Sequence, residues 1–341
     1  EENQRTRITD PYNEISYHYY DADKRLVKEE DALGNTSIFV YENGNRTKVM
    51  DKNGNVTKYY YDSRGNVTGK VDVLGNVTTI AYDTLSNPLT RLDAEGNLTQ
   101  FEYDANGNLI TTTNALGNPS TITYYPNGLR HVVTDARGNP TTNTYDAEGN
   151  LISVQDALGN ETLFDYDEVG RKTSATNART FETTYIYDNN DNLLTITDPL
   201  TNTLTHTYDE NNNRISTEDK GGYLTQFEYD EKDLLTTTTN ELLQSMTNGY
   251  DLLDRRIDFW DRANNRTQYA YDAVGNLISQ TDALTHQKTF TYDANHNRLT
   301  YVNELLEETS YEYDGLNRQI SVEDPLGRVT YKTYDPLGRL S

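Results

Sequence analysis

The sequence predicts an all-β chain: tandem 21-residue β-hairpin repeats forming one long coiled antiparallel β-sheet, a shell or solenoid-like strip. Three observations predict it. Tyrosine returns every 21 residues, a turn signal returns twice in each interval, and six or seven residues rich in Thr, Ile, Val, Leu, Phe and Tyr separate the turns. A fixed period marks a repeat architecture, and those segments have the composition of strands.

The register tyrosines are Tyr61, Tyr82, Tyr103, Tyr124, Tyr145, Tyr166, Tyr187, Tyr208, Tyr229, Tyr250, Tyr271, Tyr292, Tyr313 and Tyr334, without a slip. Tyr20 and Tyr41 extend the series to sixteen units, with one interval of 20 between Tyr41 and Tyr61. Asp follows the tyrosine in all but two units, where Glu42 and Tyr125 stand instead. Residues 1–341 therefore read as one continuous array in register from Tyr20 to Tyr334, a segment of something longer.

Each turn has its own chemistry. Gly-Asn falls four and fourteen residues after the tyrosine, as in the stretch from Tyr103 to Tyr124. Asp-x-x-Gly places a carboxylate where it accepts backbone hydrogen bonds, then a type I turn, then Gly in the left-handed region, the pattern of a three-residue hairpin loop with a bulge. Pro11, Pro126, Pro199, Pro325 and Pro336 directly follow the first turn position, where a fixed φ suits the turn. The 20-residue interval lacks one turn residue and leaves Asn43-Gly44, the favoured pair of a two-residue type I′ hairpin.

Side-chain alternation defines the faces of the sheet. Two residues before the tyrosine stand aromatic or apolar residues such as Phe39, Tyr59, Phe101, Phe164, Phe227 and Phe290, so one face carries an aromatic stripe. The stripe is expected to stack tyrosine over tyrosine on every second strand. A sheet of about 32 strands twists, so its apolar face is expected to lie inside a coil or against another layer. Inserting a residue after Ile278 is expected to flip a face, and inserting one at Ala294-Asn295 to be tolerated.

Composition excludes much else. Only 34% of residues are apolar and the net charge is −24, spread along the chain. The lack of clustered Lys and Arg argues against nucleic acid as a partner. Cysteine is absent, which removes disulfides and thiolate chemistry. No apolar run approaches the ~20 residues of a membrane span, and the first residues lack a signal-peptide core.

No catalytic residue, metal site or cofactor is expected. His18, His131, His206, His286 and His296 occupy different repeat offsets, and neither G-x-S-x-G nor HExxH occurs. One carboxylate per turn falls short of a Ca²⁺ loop. Asn35, Asn45, Asn55, Asn66, Asn76, Asn97, Asn160 and Asn265 fit N-x-S/T and are candidate glycosylation positions, although Gly-Asn-x-Thr is also what the turn and strand demand. Trp260, the single tryptophan, reads as a strand residue covering the sheet rather than a glycan or protein contact.

Tyr-Asp followed by x-x-Gly-Asn, in registered units of 21 over essentially the whole chain, resembles the YD repeats of Rhs proteins, of the shell-forming component of bacterial Tc toxins, and of teneurins. The resemblance implies a strip spiralling into a hollow shell that encloses an effector polypeptide, secreted or displayed at a cell surface. The partners it implies are neighbouring repeats, copies of the same chain or that effector. Those relatives end their repeats with an Asp-Pro-x-Gly-Leu motif tied to self-cleavage. Asp324-Pro325-Leu326-Gly327 and Asp335-Pro336-Leu337-Gly338 are similar, but Arg328 and Arg339 replace the Leu, and both read as plain turns. The alternative function is a repeat-built extracellular filament or stalk, glycan-coated through its Asn-x-Thr turns.

Overall fold

The computed structural model describes residues 4–341. Thirty-two strands, from Gln4–Thr9 to Val329–Tyr331, form one antiparallel sheet, with no helix among the described residues. Their contacts group into two compact units. One comprises the described residues up to Leu98 together with Gly249–Ser341, and the other Thr99–Asn248.

Within each unit a strand pairs with its neighbour in sequence. Gln4–Thr9 pairs with Ile15–Tyr20 in one unit, and Glu161–Tyr166 with Lys172–Thr176 in the other. The two hairpins of a repeat are not equivalent. The second is regular: Thr111↔Thr121, Thr112↔Ser120 and Thr113↔Pro119 keep one register. The first shifts by one residue, since Glu102 faces Thr111 but Tyr103 faces Leu109, leaving Ile110 as an extra residue. The same bulge leaves out Thr68, Ile152, Leu194, Ile278 and Ile320. Two regular hairpins with three-residue loops would give an even repeat of 20; the bulge supplies the twenty-first residue.

Turn geometry follows the turn chemistry. The N–H of the first turn residue donates to the carbonyl four residues on, and the fourth residue donates back to the carbonyl of the first. Asp62 with Asn66 and Gly65 does so at 3.0 and 3.1 Å. The fourth residue has positive φ, as at Gly65 (85°) and at non-glycine positions such as Leu306 (62°). Asn43 and Gly44 both have positive φ, at 50° and 84°, as a type I′ turn requires. Glu42 pairs with Asn45 and Tyr41 with Arg46, so the deleted residue comes out of the loop and the strand faces survive.

Two expectations are corrected. The apolar face is not enclosed: among the described residues no hydrophobic side chain is buried. Side chains on the tyrosine face half-bury one another instead, as the exposed/half-buried alternation of Leu98–Tyr103 records. Nor are the register tyrosines spaced to stack on each other. They stand on every second strand, about 10 Å apart, which exceeds ring contact distances of ~4.5–7 Å. Cations lie over many rings instead, as with Lys172 over Phe164 and Tyr185, and Arg298 over Tyr311. The most enclosed residues are small and polar. Ser174 and Ser321, each 5% exposed, donate to Asp165 and Glu312 at 2.7 and 2.8 Å.

Candidate functional site: pinned turns and the edges they build

Every β-sheet strip has two long edges where its turns project, and here the turns are rigid. Asp62 Oδ1 accepts the backbone N–H groups of Arg64 and Asn66 at 2.9 Å each, and its Oδ2 accepts Asn66 Nδ2 at 2.9 Å. The same cage recurs at Asp104 with Asn106 and Asn108. Where Arg ends the turn it grips the same oxygen, as Arg171 Nε does with Asp167 at 2.7 Å. These bonds favour the ionised carboxylate. The Asn66 side chain and backbone amides hold the Asp62 carboxyl down to about 2. At Asp314, burial is the largest influence and pushes upward, but the Arg318 side-chain and backbone bonds outweigh it.

The register tyrosines end their strands from Tyr61 to Tyr313, and Tyr334 forms an isolated bridge with Leu340. Register hydroxyls donate to the carbonyl fifteen residues earlier, among them Tyr82 to Val67 at 2.9 Å, Tyr166 to Leu151 at 3.0 Å and Tyr271 to Arg256 at 2.9 Å. Val67 is the residue paired with the preceding register tyrosine, at the mouth of the bulge. A bulge leaves backbone groups outside the ladder, and the phenol of the next repeat supplies a donor there. This explains why the position is tyrosine rather than phenylalanine. Burial pushes the Tyr166 and Tyr271 hydroxyls up, which keeps them protonated and donating. Tyr166→Phe should therefore cost about 1 kcal/mol by urea denaturation. The exposed Tyr223, changed to Phe as a control, should cost less than about 0.5 kcal/mol.

Successive first turns are also tied to one another. The last residue of one turn reaches the fourth residue of the next, as in Asn66 to Ser86 (3.0 Å), Arg171 to Asp191 (2.8 Å), Asn192 to Asn212 (2.8 Å) and Asn297 to Asn317 (2.7 Å). An Arg in this place also covers the next register tyrosine: Arg171 over Tyr187 at 5.2 Å and Arg255 over Tyr271 at 4.9 Å. The first-turn edge is thus a laced row.

In the unit containing Gly249–Ser341, that edge meets the second-turn edge of the early repeats. The Leu252 N–H donates to the Tyr12 hydroxyl at 3.2 Å. Asn53 Nδ2 donates to Asp293 Oδ2 at 2.9 Å, and Asn295 Nδ2 reciprocates to Asp51 Oδ2 at 2.8 Å. Val73 lies against Gly315. Arg339 Nη2 meets both Glu95 carboxylate oxygens at 2.8 Å. The pairs run in the same order on both sides, 240 to 244 residues apart where they are hydrogen-bonded, so the ribbon meets itself edge to edge along a seam. A Cβ on Gly315 would lie 2.8 Å from Val73 Cγ2, too close without displacement. Gly315→Ala should cost about 1–3 kcal/mol and speed amide exchange at turns 51–55 and 72–76, read by mass spectrometry.

Other residues singled out by sequence have structural partners. Asn35, Asn55, Asn66, Asn76, Asn97, Asn160 and Asn265 each donate Nδ2 to the Asp that opens their turn, at 2.8 to 3.2 Å. Nδ2 is the atom a glycan would join. Asn45 instead begins the strand after the two-residue turn. Each histidine has its own partner. His206 Nδ1 is 3.0 Å from Thr217 Oγ1, His296 Nδ1 is 2.8 Å from Asn276 Oδ1, His131 lies against Tyr125, His286 meets Asp282, and His18 faces Glu29. Burial pushes the His206 imidazole down. Arg266 covers the ring of Trp260 at 5.2 Å. Asp324 and Asp335 are gripped by Arg328 and Arg339 at 2.6 Å within ordinary turns.

Sequence reasoning places a bulge in the loop but misses the strand bulge at the second residue after the first turn, the hydroxyl hook and the seam. A run of two apolar residues after the turn, such as Leu109-Ile110, Leu151-Ile152 and Leu277-Ile278, breaks the alternation of faces and marks the bulge. The seam has no comparable local signal.

Known proteins share this architecture. No curated protein matches the chain. Among solved structures, a crystal structure of TcdB2-TccC3-Cdc42 is similar over 96% of this chain at 16% identity, with a TM-score of 0.77. TcdB2-TccC3 without its hypervariable C-terminal region gives the same values. A Photorhabdus luminescens Tc holotoxin pore carrying a TccC3 mutation matches over 96% of this chain at 16% identity, with a TM-score of 0.78. In all three the match covers 21% of the solved chain, so this chain spans about a fifth of their length. At that identity the likeness is one of fold. The RHS Repeat family model matches at residues 40–77, 82–119, 124–161, 145–182, 166–203, 187–222, 208–242, 271–304 and 313–341. With the tyrosine register, the pinned turns and these matches over most of its length, the chain belongs to the RHS repeat family.

Proposed function

We propose that the chain is a non-catalytic wall, part of a hollow, secreted or surface-displayed shell that encloses an effector polypeptide. The observation that carries this reading is the ordered seam. A strip whose first-turn edge zips onto its own second-turn edge makes a continuous surface, whereas a strip with both edges free makes only a ribbon. The fold likeness to Tc toxin chains supports the same reading, as does turn chemistry that commits the Asp carboxylates to structure.

Negative-stain microscopy of the native protein, isolated with whatever flanks this chain in its source, tests it. Hollow particles, with a polypeptide that resists protease until the particles are opened by denaturant, are expected. Unbranched threads, or no protected polypeptide, would reject the shell in favour of the filament. Hydrolase or transferase turnover abolished by one point substitution in the purified chain would reject the non-catalytic role.

A further inference from the structure

Side chains alternate faces along a strand, and the face opposite the register tyrosines becomes apolar and cationic across the strands from Thr36–Glu42 to Pro88–Leu92. Cross-strand pairing lines up Val40, Lys48, Lys58, Val71 and Val77 in one ladder, and Tyr60, Gly69, Thr79 and Leu92 in the next. Val40, Tyr60, Val77 and Leu92 are 37 to 54% exposed. Neither ladder holds a carboxylate, whereas the exposed Leu163, on the corresponding face of the other unit, stands between Glu161 and Asp165. At the centre of the first ladder Lys48 directly faces Lys58. Opposed residues hold their Cβ atoms ~4.5–5.5 Å apart, where like charges destabilise a sheet. Among the described residues neither lysine has an ion-pair partner. A cavity of about 390 Å³ opens beside the pair, lined by both lysines, Val40 and Tyr60, with Glu42 at its turn end. Tyr60 lies across Gly69, where a Cβ would sit 3.3 Å from Tyr60 Cδ2.

We propose that this face binds an extended polypeptide segment carrying carboxylates among apolar side chains, with one carboxylate seated between Lys48 and Lys58. Such a carboxylate offsets a repulsion that the fold itself leaves uncompensated, and charge complementarity selects an acidic partner. The partner's apolar side chains cover Val40, Tyr60, Val77 and Leu92, which otherwise form an exposed patch. The first ladder crosses five strands, about 19 Å at ~4.8 Å per strand, so the surface outreaches a small anion and suits a chain. All of these residues belong to one compact unit. The site needs no closed shell, so its test stands apart from that of the wall.

Fluorescence anisotropy tests the proposal, with the purified chain titrated from ~1 to ~100 µM into labelled, reduced and carboxymethylated α-lactalbumin, an acidic polypeptide that cannot fold. Binding should saturate at ~50 mM salt and weaken at ~500 mM. Reduced, carbamidomethylated lysozyme, a cationic unfolded chain, should bind at least ~10-fold more weakly. Lys48→Glu turns the like-charged pair into an opposite-charged one, so it should raise the urea midpoint of the chain while weakening α-lactalbumin binding at least ~10-fold. V77D/L92D should weaken binding similarly, and L163D/I186D, outside the patch, should leave it within ~2-fold. Absence of saturable binding, equal binding of the two probes, or binding that survives both Lys48→Glu and V77D/L92D would overturn the proposal. Wild-type chain that floats with phosphatidylserine vesicles and thereby loses the probe would overturn it by assigning the face to a lipid surface. Self-association in sedimentation that Lys48→Glu abolishes would overturn it by assigning the face to a second copy.

Discussion

Inserting one alanine between Thr289 and Phe290 should cost more than about 3 kcal/mol, whereas the same insertion between Ala105 and Asn106 should cost about 1 kcal/mol. The strand Gln287–Tyr292 is locked on both sides, with Thr289 facing Ser279 on one and Val302 on the other. An extra residue there turns Phe290 out of the half-buried face or forces a second bulge beside the one that skips Leu299. In the loop, the insertion loosens one turn and its Asp104 cage and leaves both strands in register. Ile278 and Ala294-Asn295, natural choices from sequence, are poor sites for this comparison. Ile278 is itself the bulged residue, and Asn295 is a seam contact. Because a repeat array loses structure locally, hydrogen exchange is the suitable readout. Protection should collapse across residues 277–302 for the strand insertion and only around Asp104–Asn108 for the loop insertion. Equal losses would show that the two-faced strand account is wrong.

Acid should dismantle the sheet steeply between pH 4 and pH 2. Among the described residues, nineteen turn aspartates have carboxyls held below the ordinary value of 3.8. The Asn66 amides bring Asp62 to about 2, and the Lys220 ammonium and Asn202 amide hold Asp198 well below the carboxylate range. A depressed folded value means that the unfolded chain binds more protons in this window. The stabilisation is therefore complete above the unfolded value near 3.8 and is lost as pH falls through the folded values. Each turn that takes up a proton steepens the loss, so urea midpoints at pH 5, 4, 3 and 2.5 should fall progressively. A midpoint unchanged from pH 5 to pH 2.5 would mean that the Asp cages do not hold the turns.

The sequence made the strands and turns legible because both are local. Strand composition, Asp at the turn start and Gly or Asn at the left-handed position are decided within about ten residues, and the two-residue turn at Asn43-Gly44 could be read from one missing residue. An aromatic face suggests a cover, because aromatic side chains usually seek one. Here the cover comes from neighbours on the same face, from cations such as Lys172 and Arg298, and from the hydroxyl hooks. The bulge was written in Leu-Ile pairs but hidden by an expectation of unbroken alternation. Seam contacts join residues about 240 apart, and their partners, Asn with Asp and Arg with Glu, are also what ordinary turns contain, so no local pattern distinguishes them.

The seam is tested most directly by cross-linking. The chain has no cysteine, so N53C/N295C introduces one reactive pair at loop tips whose own turns use only the backbone of these residues; it removes the two Asn–Asp bonds of the seam and leaves its Tyr12, Val73 and Glu95 contacts in place. A short bis-maleimide should link this pair within one chain, giving a cross-linked peptide at monomer mass. N53C/L337C, displaced two first turns along the edge or about 19 Å at ~4.8 Å per strand, should remain unlinked. Failure of the first pair to link, or equal linking of both, would contradict an ordered edge-to-edge wall.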